Sequence, residues 1–481
     1  MRDHRPAPNH VRFVPDLRSH NLSQNSFRTM PLAVGSATCQ SSPNRPPSSN
    51  SSTALREATA GARRRTGRRG LVTKQLMPGA TGTDAATQVT TYWSAVGTGT
   101  CQGRSEWADQ VCSTGPGDVI TGGGSNPSQM PTTTTEYNWW GTPAKVTETA
   151  NGTTRTTTNA YDAAGRPTKV TVTAGIGQAV PEVTTEYDPS TGLPVKITSP
   201  TGGTLTTTYD KLGRQMSYSD ADGGITTTEY DLLGRPVKIT DNSPSTTTFT
   251  YDHTAEPRGM ATATNDSVAG SSQASYDPDG LVSSEKLPGG YTLDIATDST
   301  GATTSRTYTR DVDSTTVYTD TVTQTAQGQV AAHSGWSEQS FGYDAAGRLK
   351  SVDDTTNTAC TRRTYAFDSR SNRTSLTSAV AAPGIDCTST GGTSTSFAYD
   401  SADRIVVAGY AYDNLGRTTT APGSTDSYYV NDLAYQQTAG TQRQTRQLDS
   451  AMRYRSWKTE TGSGSTWTVV TAFRVSWLFW T

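Results

Sequence analysis

The residues that could do chemistry in this chain fall in columns rather than clusters. The motif Tyr-Asp-x-x-Gly-Arg occurs five times in full. Its copies are Tyr161, Asp162, Gly165 and Arg166; Tyr209, Asp210, Gly213 and Arg214; Tyr230, Asp231, Gly234 and Arg235; Tyr343, Asp344, Gly347 and Arg348; and Tyr412, Asp413, Gly416 and Arg417. The aspartates suggest a carboxylate ladder and the arginines a site for anionic sugars. Each column also has a sufficient structural role. An Asp opening a type I turn accepts backbone N–H bonds, and an Arg at a strand end pairs with Tyr, Asp or backbone. Asp220 and Asp222, like Asp277 and Asp279, begin as calcium loops do but lack the later oxygen ligands, so they read as turns. His253 follows a Tyr-Asp pair and reads as a loop residue; His333 has no triad spacing to its neighbours. There is no Gly-x-Ser-x-Gly elbow, Walker loop or Gly-x-Gly-x-x-Gly turn. Trp93, Trp107, Trp139 and Trp140 could make a sugar platform, though burial beneath hairpins is the commoner fate of such residues. The reading is therefore a non-enzyme, with no catalytic residue, cofactor or metal.

Five cysteines form two local pairs and a singleton, Cys39. Disulfides Cys101–Cys112 and Cys360–Cys387 are the preferred reading and free thiols the alternative. Disulfides imply an oxidising setting, yet no stretch has the layout of a signal peptide. Apolar residues are 32% and charged residues 17%, while Thr numbers 87 and Gly 45 in 481 residues. Thr, Ser and Gly are poor helix formers. Thr and Tyr between turn residues read as many short strands, and no apolar run is long enough for a membrane helix. Residues 1–75 carry 13 Lys and Arg against 3 Asp and Glu. The cluster Arg63, Arg64, Arg65, Arg68 and Arg69 lacks interleaved aromatics, so this segment reads as a disordered basic tail with no nucleic-acid role.

The elements that position the columns follow from the repeat. Looser copies stand at Tyr187, Tyr251, Tyr276, Phe367 and Tyr399, with fainter ones at Tyr137, Asp298 and Asp449. Upstream of each Tyr lies a Thr-rich stretch, and downstream of each Arg an alternating one such as Pro236-Val237-Lys238-Ile239-Thr240. Each unit of about 21 residues is thus one β-hairpin. Asp231 starts its turn, Gly234 takes the left-handed conformation, and Arg235 is expected to lie across Tyr230 of the same hairpin with the phenol in water. A lone hairpin is marginal in water, so the units must pair side by side.

This pattern resembles the YD-repeat or Rhs-repeat family: bacterial Rhs and wall-associated proteins, toxin-complex shell subunits, and teneurins. The resemblance implies an all-β fold in which tandem antiparallel hairpins form a spiralling sheet, part of a hollow shell. It further implies an extracellular or cell-surface setting and a C-terminal toxin or effector polypeptide as the enclosed partner. The domain reading is a disordered basic segment at 1–75, a Cys-containing lead-in at 76–136, the hairpin array at 137–455 and an atypical tail at 456–481. No effector domain and no self-cleavage aspartate is recognised, and the chain reads as a truncated member. The expected function is a non-catalytic structural scaffold; the alternative is a surface carbohydrate-binding module. Self-association is expected through an open sheet edge near residues 399–417, with Trp477 and Trp480 adding apolar area.

Overall fold

A computed structural model describes residues 63–66, 70–242, 245–461 and 464–469. Most of the basic tail, together with Trp477 and Trp480, lies outside the described residues. Residues 58–481 form one unit, and all the described residues belong to it.

The described residues contain 34 strands and one short 3-10 turn at Ser105–Trp107. Strands from Arg63–Thr66 to Thr393–Ser396 make one 27-stranded sheet, and those from Ala411–Tyr412 to Gly464–Val469 make a seven-stranded one. Within each sheet every strand pairs antiparallel with its neighbours in sequence, a pure succession of hairpins. The all-β hairpin array read from the repeat is the observed fold.

One hairpin shows why these residues make strands. In Ile225–Tyr230 against Pro236–Asp241, Thr228 lies opposite Ile239 and Glu229 opposite Lys238. The register shifts between Glu229 and Tyr230, the bulge that lets a short turn close. Thr228 is buried on one face, while Lys238 Nζ reaches Glu229 Oε1 at 3.0 Å on the other. The same pair recurs at Lys145–Glu136 and Lys196–Glu186. These pairs are largely exposed, so each adds roughly 0.2–1 kcal/mol. Thr serves both faces: its β-branch suits a pleated half-buried surface, and its hydroxyl can pair across strands, as Thr184 and Thr198 do at 2.7 Å. Buried apolar side chains are correspondingly sparse, among them Leu205, Ala274, Leu293 and Val352.

The array winds back on itself. Arg370 meets Asp84, 286 residues earlier, and Arg455 meets Asp222, 233 residues earlier. Between these limits Ser401 pairs with Thr121, Asn414 with Thr153, Val430 with Gln178, and Ser450 with Gly202. In each case a Tyr-Asp-type turn of the later winding sits on an opposite-end turn of the earlier winding. Gln178 and Tyr429 form a parallel bridge across this seam.

The structure moves several expected boundaries. Arg63–Thr66 and Val72–Leu76 are paired strands inside the segment expected to be disordered to residue 75. Their backbone pairing needs no apolar side chains, which is why a basic, polar composition concealed it. The lead-in at 76–136 belongs to the same sheet as the array, through Thr87–Tyr92, Val111–Pro116 and Thr132–Tyr137. A boundary at 456 would cut the strand Tyr454–Thr461, which pairs onward with Gly464–Val469. Both sheets end near the expected open edge at 399–417, at Thr393–Ser396 and Ala411–Tyr412, but the turn between them is not bare: Asp400 and Arg404 are buried, and Arg404 donates to Pro127 O at 2.9 Å. The seam covers that turn.

Left-handed turn positions generate a stability prediction. Gly234 has φ 84°, and a Cβ there would meet only Arg214 Nη1 at 3.5 Å, so a side chain is penalised by the backbone alone. Met452 occupies the equivalent place in a degenerate copy at φ 59°. Gly234→Ala should lower unfolding free energy by ~1–2 kcal/mol and Met452→Gly should raise it by ~1 kcal/mol. Denaturant titration checks both signs.

Candidate functional site: the Tyr-Asp turn ladder

Each full motif closes the same way. Asp231 Oδ1 accepts the backbone N–H groups of Leu233 and Arg235 at 2.9 and 2.8 Å. Its Oδ2 accepts Arg235 Nε at 2.7 Å and Nη2 at 2.7 Å. Asp162, Asp210, Asp344 and Asp413 repeat this with Arg166, Arg214, Arg348 and Arg417, the Nε distances being 2.7, 2.6, 2.7 and 2.7 Å. Gly165, Gly213, Gly347 and Gly416 have φ of 77°, 78°, 77° and 84°. The Asp column is fully engaged in holding its own turns.

The arginines look forward, not across. Arg235 stacks on Tyr251 of the next hairpin, 4.1 Å from the ring centroid. Arg214 lies over Tyr230, Arg166 over Tyr187, Arg348 over Phe367 and Arg417 over Tyr428. The expectation that Arg235 covers Tyr230 is therefore off by one hairpin. The carboxylate pulls the guanidinium into the turn plane, and from there the nearest ring belongs to the next strand pair. The phenols are not left to water either. Tyr230 OH donates to Gln215 O at 2.9 Å, and Tyr161, Tyr209, Tyr343 and Tyr412 donate likewise to Pro143, Pro194, Val330 and Ile405. Each rung thus reaches forward with Arg and back with Tyr.

Degenerate copies keep the geometry with other atoms. Thr325 Oγ1 accepts from Gln327 and Gln329 N–H, and Gln329 Nε2 donates to Gly347 O, so Thr and Gln replace Asp and Arg. Asn138 Oδ1 accepts from Trp140 and Thr142 N–H. Glu256 holds Arg258 in an enlarged turn. The motif alone does not reveal the 325–329 copy, nor one at 429–433 closed by Tyr429 N–H to Leu433 O. Gly328 at fixed spacing before Gln329 is the available signal for the former; the latter keeps only Tyr428 and the turn-forming Asn431-Asp432 pair.

The other candidates separate. Cys101–Cys112 and Cys360–Cys387 are disulfides with Cα atoms 5.5 and 5.2 Å apart. Trp107 is buried, packing on Trp93 and Tyr137, whereas Trp139 and Trp140 stand exposed at a turn tip. The four tryptophans therefore form no common platform. Asp222 pairs with Arg455 across the seam. His253 is exposed, and His333 Nε2 lies 2.5 Å from Asp320.

Charge and burial give the ladder a pH signature. Hydrogen bonds from the Arg166 guanidinium and backbone N–H hold Asp162 below the usual carboxylate range. The backbone N–H and guanidinium of Arg214 and of Arg348 do the same for Asp210 and Asp344. Burial raises the phenols of Tyr187 and Tyr251 and pushes those of Tyr428 and Tyr429 up to about 12. A depressed acid contributes stability above its unfolded value, near ~3.9, and loses it as pH falls through the folded value. A raised phenol contributes stability below its unfolded value, near ~10, and loses it as pH rises through the folded value. The denaturation midpoint should therefore be flat between roughly pH 5 and 9 and fall on both sides. Replacing Asp162, Asp210 and Asp344 together by Asn should shrink the acid limb and leave the alkaline limb intact.

No curated protein matches the chain in sequence. In fold it is similar to the crystal structure of TcdB2-TccC3-Cdc42, with a TM-score of 0.66 over 85% of this chain at 14% identity. The Tc holotoxin pore of Photorhabdus luminescens gives a TM-score of 0.62 over 85% at 12% identity. TcdB2-TccC3 gives 0.60 over 82% at 14% identity. The chain spans 22%, 23% and 24% of those three chains. At such identities the likeness is one of fold. The teneurin YD-shell family, by contrast, matches in sequence over residues 182–471, more than half of the chain. With its rungs of Tyr, Asp, Gly and Arg running through that span, the chain belongs to the teneurin YD-shell family.

Proposed function

We propose that this chain is a length of shell wall that helps enclose and deliver a C-terminal polypeptide effector, and that it does no chemistry itself. The observation that carries the reading is the seam. Later Tyr-Asp turns seat on earlier opposite-end turns one after another, from Arg370 on Asp84 to Arg455 on Asp222. A sheet that joins its own windings in this way makes a continuous surface, which suits a wall. The Asp and Arg columns, the residues best placed for catalysis by repetition, are occupied by one another. The similar solved assemblies contain TcdB2 together with TccC3, which supports a polypeptide as the partner class. Two disulfides suit an extracellular or surface setting.

The test is protection of a passenger. A protease-sensitive polypeptide fused after Thr481 should be digested more slowly than the same polypeptide free in solution. Arg155, held by its cross-strand neighbour Glu148 at 2.6 Å, braces the seam by donating to Val430 O at 3.0 Å and pairing with Asp432, so Arg155→Ala should erode that protection. Digestion of the fused and free passenger at equal rates would sink the wall reading.

A further inference from the structure

The same kind of turn tip has two fates in this molecule. In the later winding, turn-tip residues are driven into the seam: Leu415, between Asp413 and Gly416, is 6% exposed, and Val430, in the 429–433 turn, is 3% exposed. In the earlier winding the equivalent tips are bare. Leu212 is 78% exposed, Leu232 105%, and Leu233 and Trp139 are exposed as well. Leucine at a solvent tip gives up apolar burial that its counterpart Leu415 obtains. A row of such tips on one edge is a patch built to be covered.

The surface that covers the later tips also continues past its last described contact. Opposite-end turns receive tips in order up to Gly202, and the next one, at Asp222, is met by Arg455 from the strand after the last tip. Beyond it come the turns at 266–270, 288–290, 311–314 and 334–338, which carry no seam contact among the described residues. Their own apolar residues are exposed: Val268, Val312 at 86% and Trp336 at 83%, the last with one ring face on Tyr318. Both rows repeat once per hairpin, so their spacing matches wherever one is laid on the other. Within the chain this match already holds for successive turns.

We propose that the bare Tyr-Asp tips at Leu212 and Leu232, on successive hairpins, dock on the successive uncovered opposite-end turns at Val312 and Trp336 of a second copy of this chain. The contact continues the seam between molecules. It goes beyond the shell reading and does not use the sheet edge. It joins two different surfaces, so it is head-to-tail, and nothing in it closes after two copies; association is open-ended.

Sedimentation velocity of the full chain over a concentration series tests this. The wild type should grow past a dimer as concentration rises. Leu212→Lys with Leu232→Lys removes one surface, and Val312→Lys with Trp336→Lys removes the other; each double variant alone should stay monomeric. Mixed together, the two retain one good surface each and should stop at a heterodimer. Circular dichroism, unchanged in both because the altered side chains project from turns, excludes misfolding as the cause of a loss; the unfolding midpoint should hold in the leucine variant and fall slightly in the other, where Trp336 leaves its stack on Tyr318. A wild type that stays monomeric throughout would overturn the proposal and assign the tips to a different polypeptide. So would association that survives both sets of substitutions, or a mixture that remains monomeric.

Discussion

A guanidinium such as that of Arg235 has two engagements, and the sheet depends on both being met at once. It pairs with Asp231 in its own turn and stacks on Tyr251 in the next. The first engagement fixes the second, because a guanidinium held flat by a carboxylate presents its face in one direction only. The stacking is worth roughly 0.5–1 kcal/mol at an exposed site, a small amount for one rung. Repetition makes it a structural rule: wherever the full motif stands, one hairpin sets the angle and register of the following one. The Tyr hydroxyl adds a backward link through a hydrogen bond to a carbonyl of the preceding hairpin. Neither link requires a core.

That explains how a chain with 32% apolar residues holds so long a sheet. A globular domain gathers its apolar side chains in one place; here burial is spread thinly along the array, with Thr228 and Thr264 buried among strands where Leu205 and Leu293 are buried elsewhere. Main-chain pairing and rung contacts are local, so stability accumulates hairpin by hairpin as in other repeat proteins. The seam is the exception. Its contacts join residues more than 200 positions apart, and loop closure makes them the last to be satisfied.

The repeat made the hairpins legible because turn chemistry is local. Asp231 and Gly234 need only their own neighbours to declare a turn, and both sit as that chemistry requires. The partner of Arg235 was not legible in the same way. Tyr230 is five residues away and Tyr251 sixteen, and sequence proximity favours the wrong ring. The 325–329 turn was hidden because Thr and Gln supply a hydroxyl and an amide in place of a carboxylate and a guanidinium. The hydrogen-bond pattern survived while the letters changed. Arg63–Thr66 was hidden for the opposite reason: its composition is that of a solvated tail, and pairing by backbone leaves no trace in side-chain type.

The seam could not be read from the repeat at all, and the reason is geometric. How many hairpins complete one winding depends on small twists added at every strand pair, and no single motif encodes a sum. Only the tip residues hint at it. Asn414-Leu415 and Val430-Asn431 face the seam, with Asn414 Nδ2 donating to Thr153 Oγ1 at 3.0 Å, and Ser450 is buried against Gly202 and Gly203. A Cβ at Gly202 would crowd Ser199 Oγ of its own turn and stand 2.6 Å from the Ser450 backbone nitrogen; the hydroxyl can rotate away but the backbone cannot, so the approach of a turn from the later winding requires glycine there. Gly202 thus records a contact its own hairpin never makes, whereas Gly203 answers to its left-handed φ of 80° and to Ala221. In a repeat whose rungs are nearly interchangeable, such departures from the common pattern are where the position of a hairpin within the winding is written.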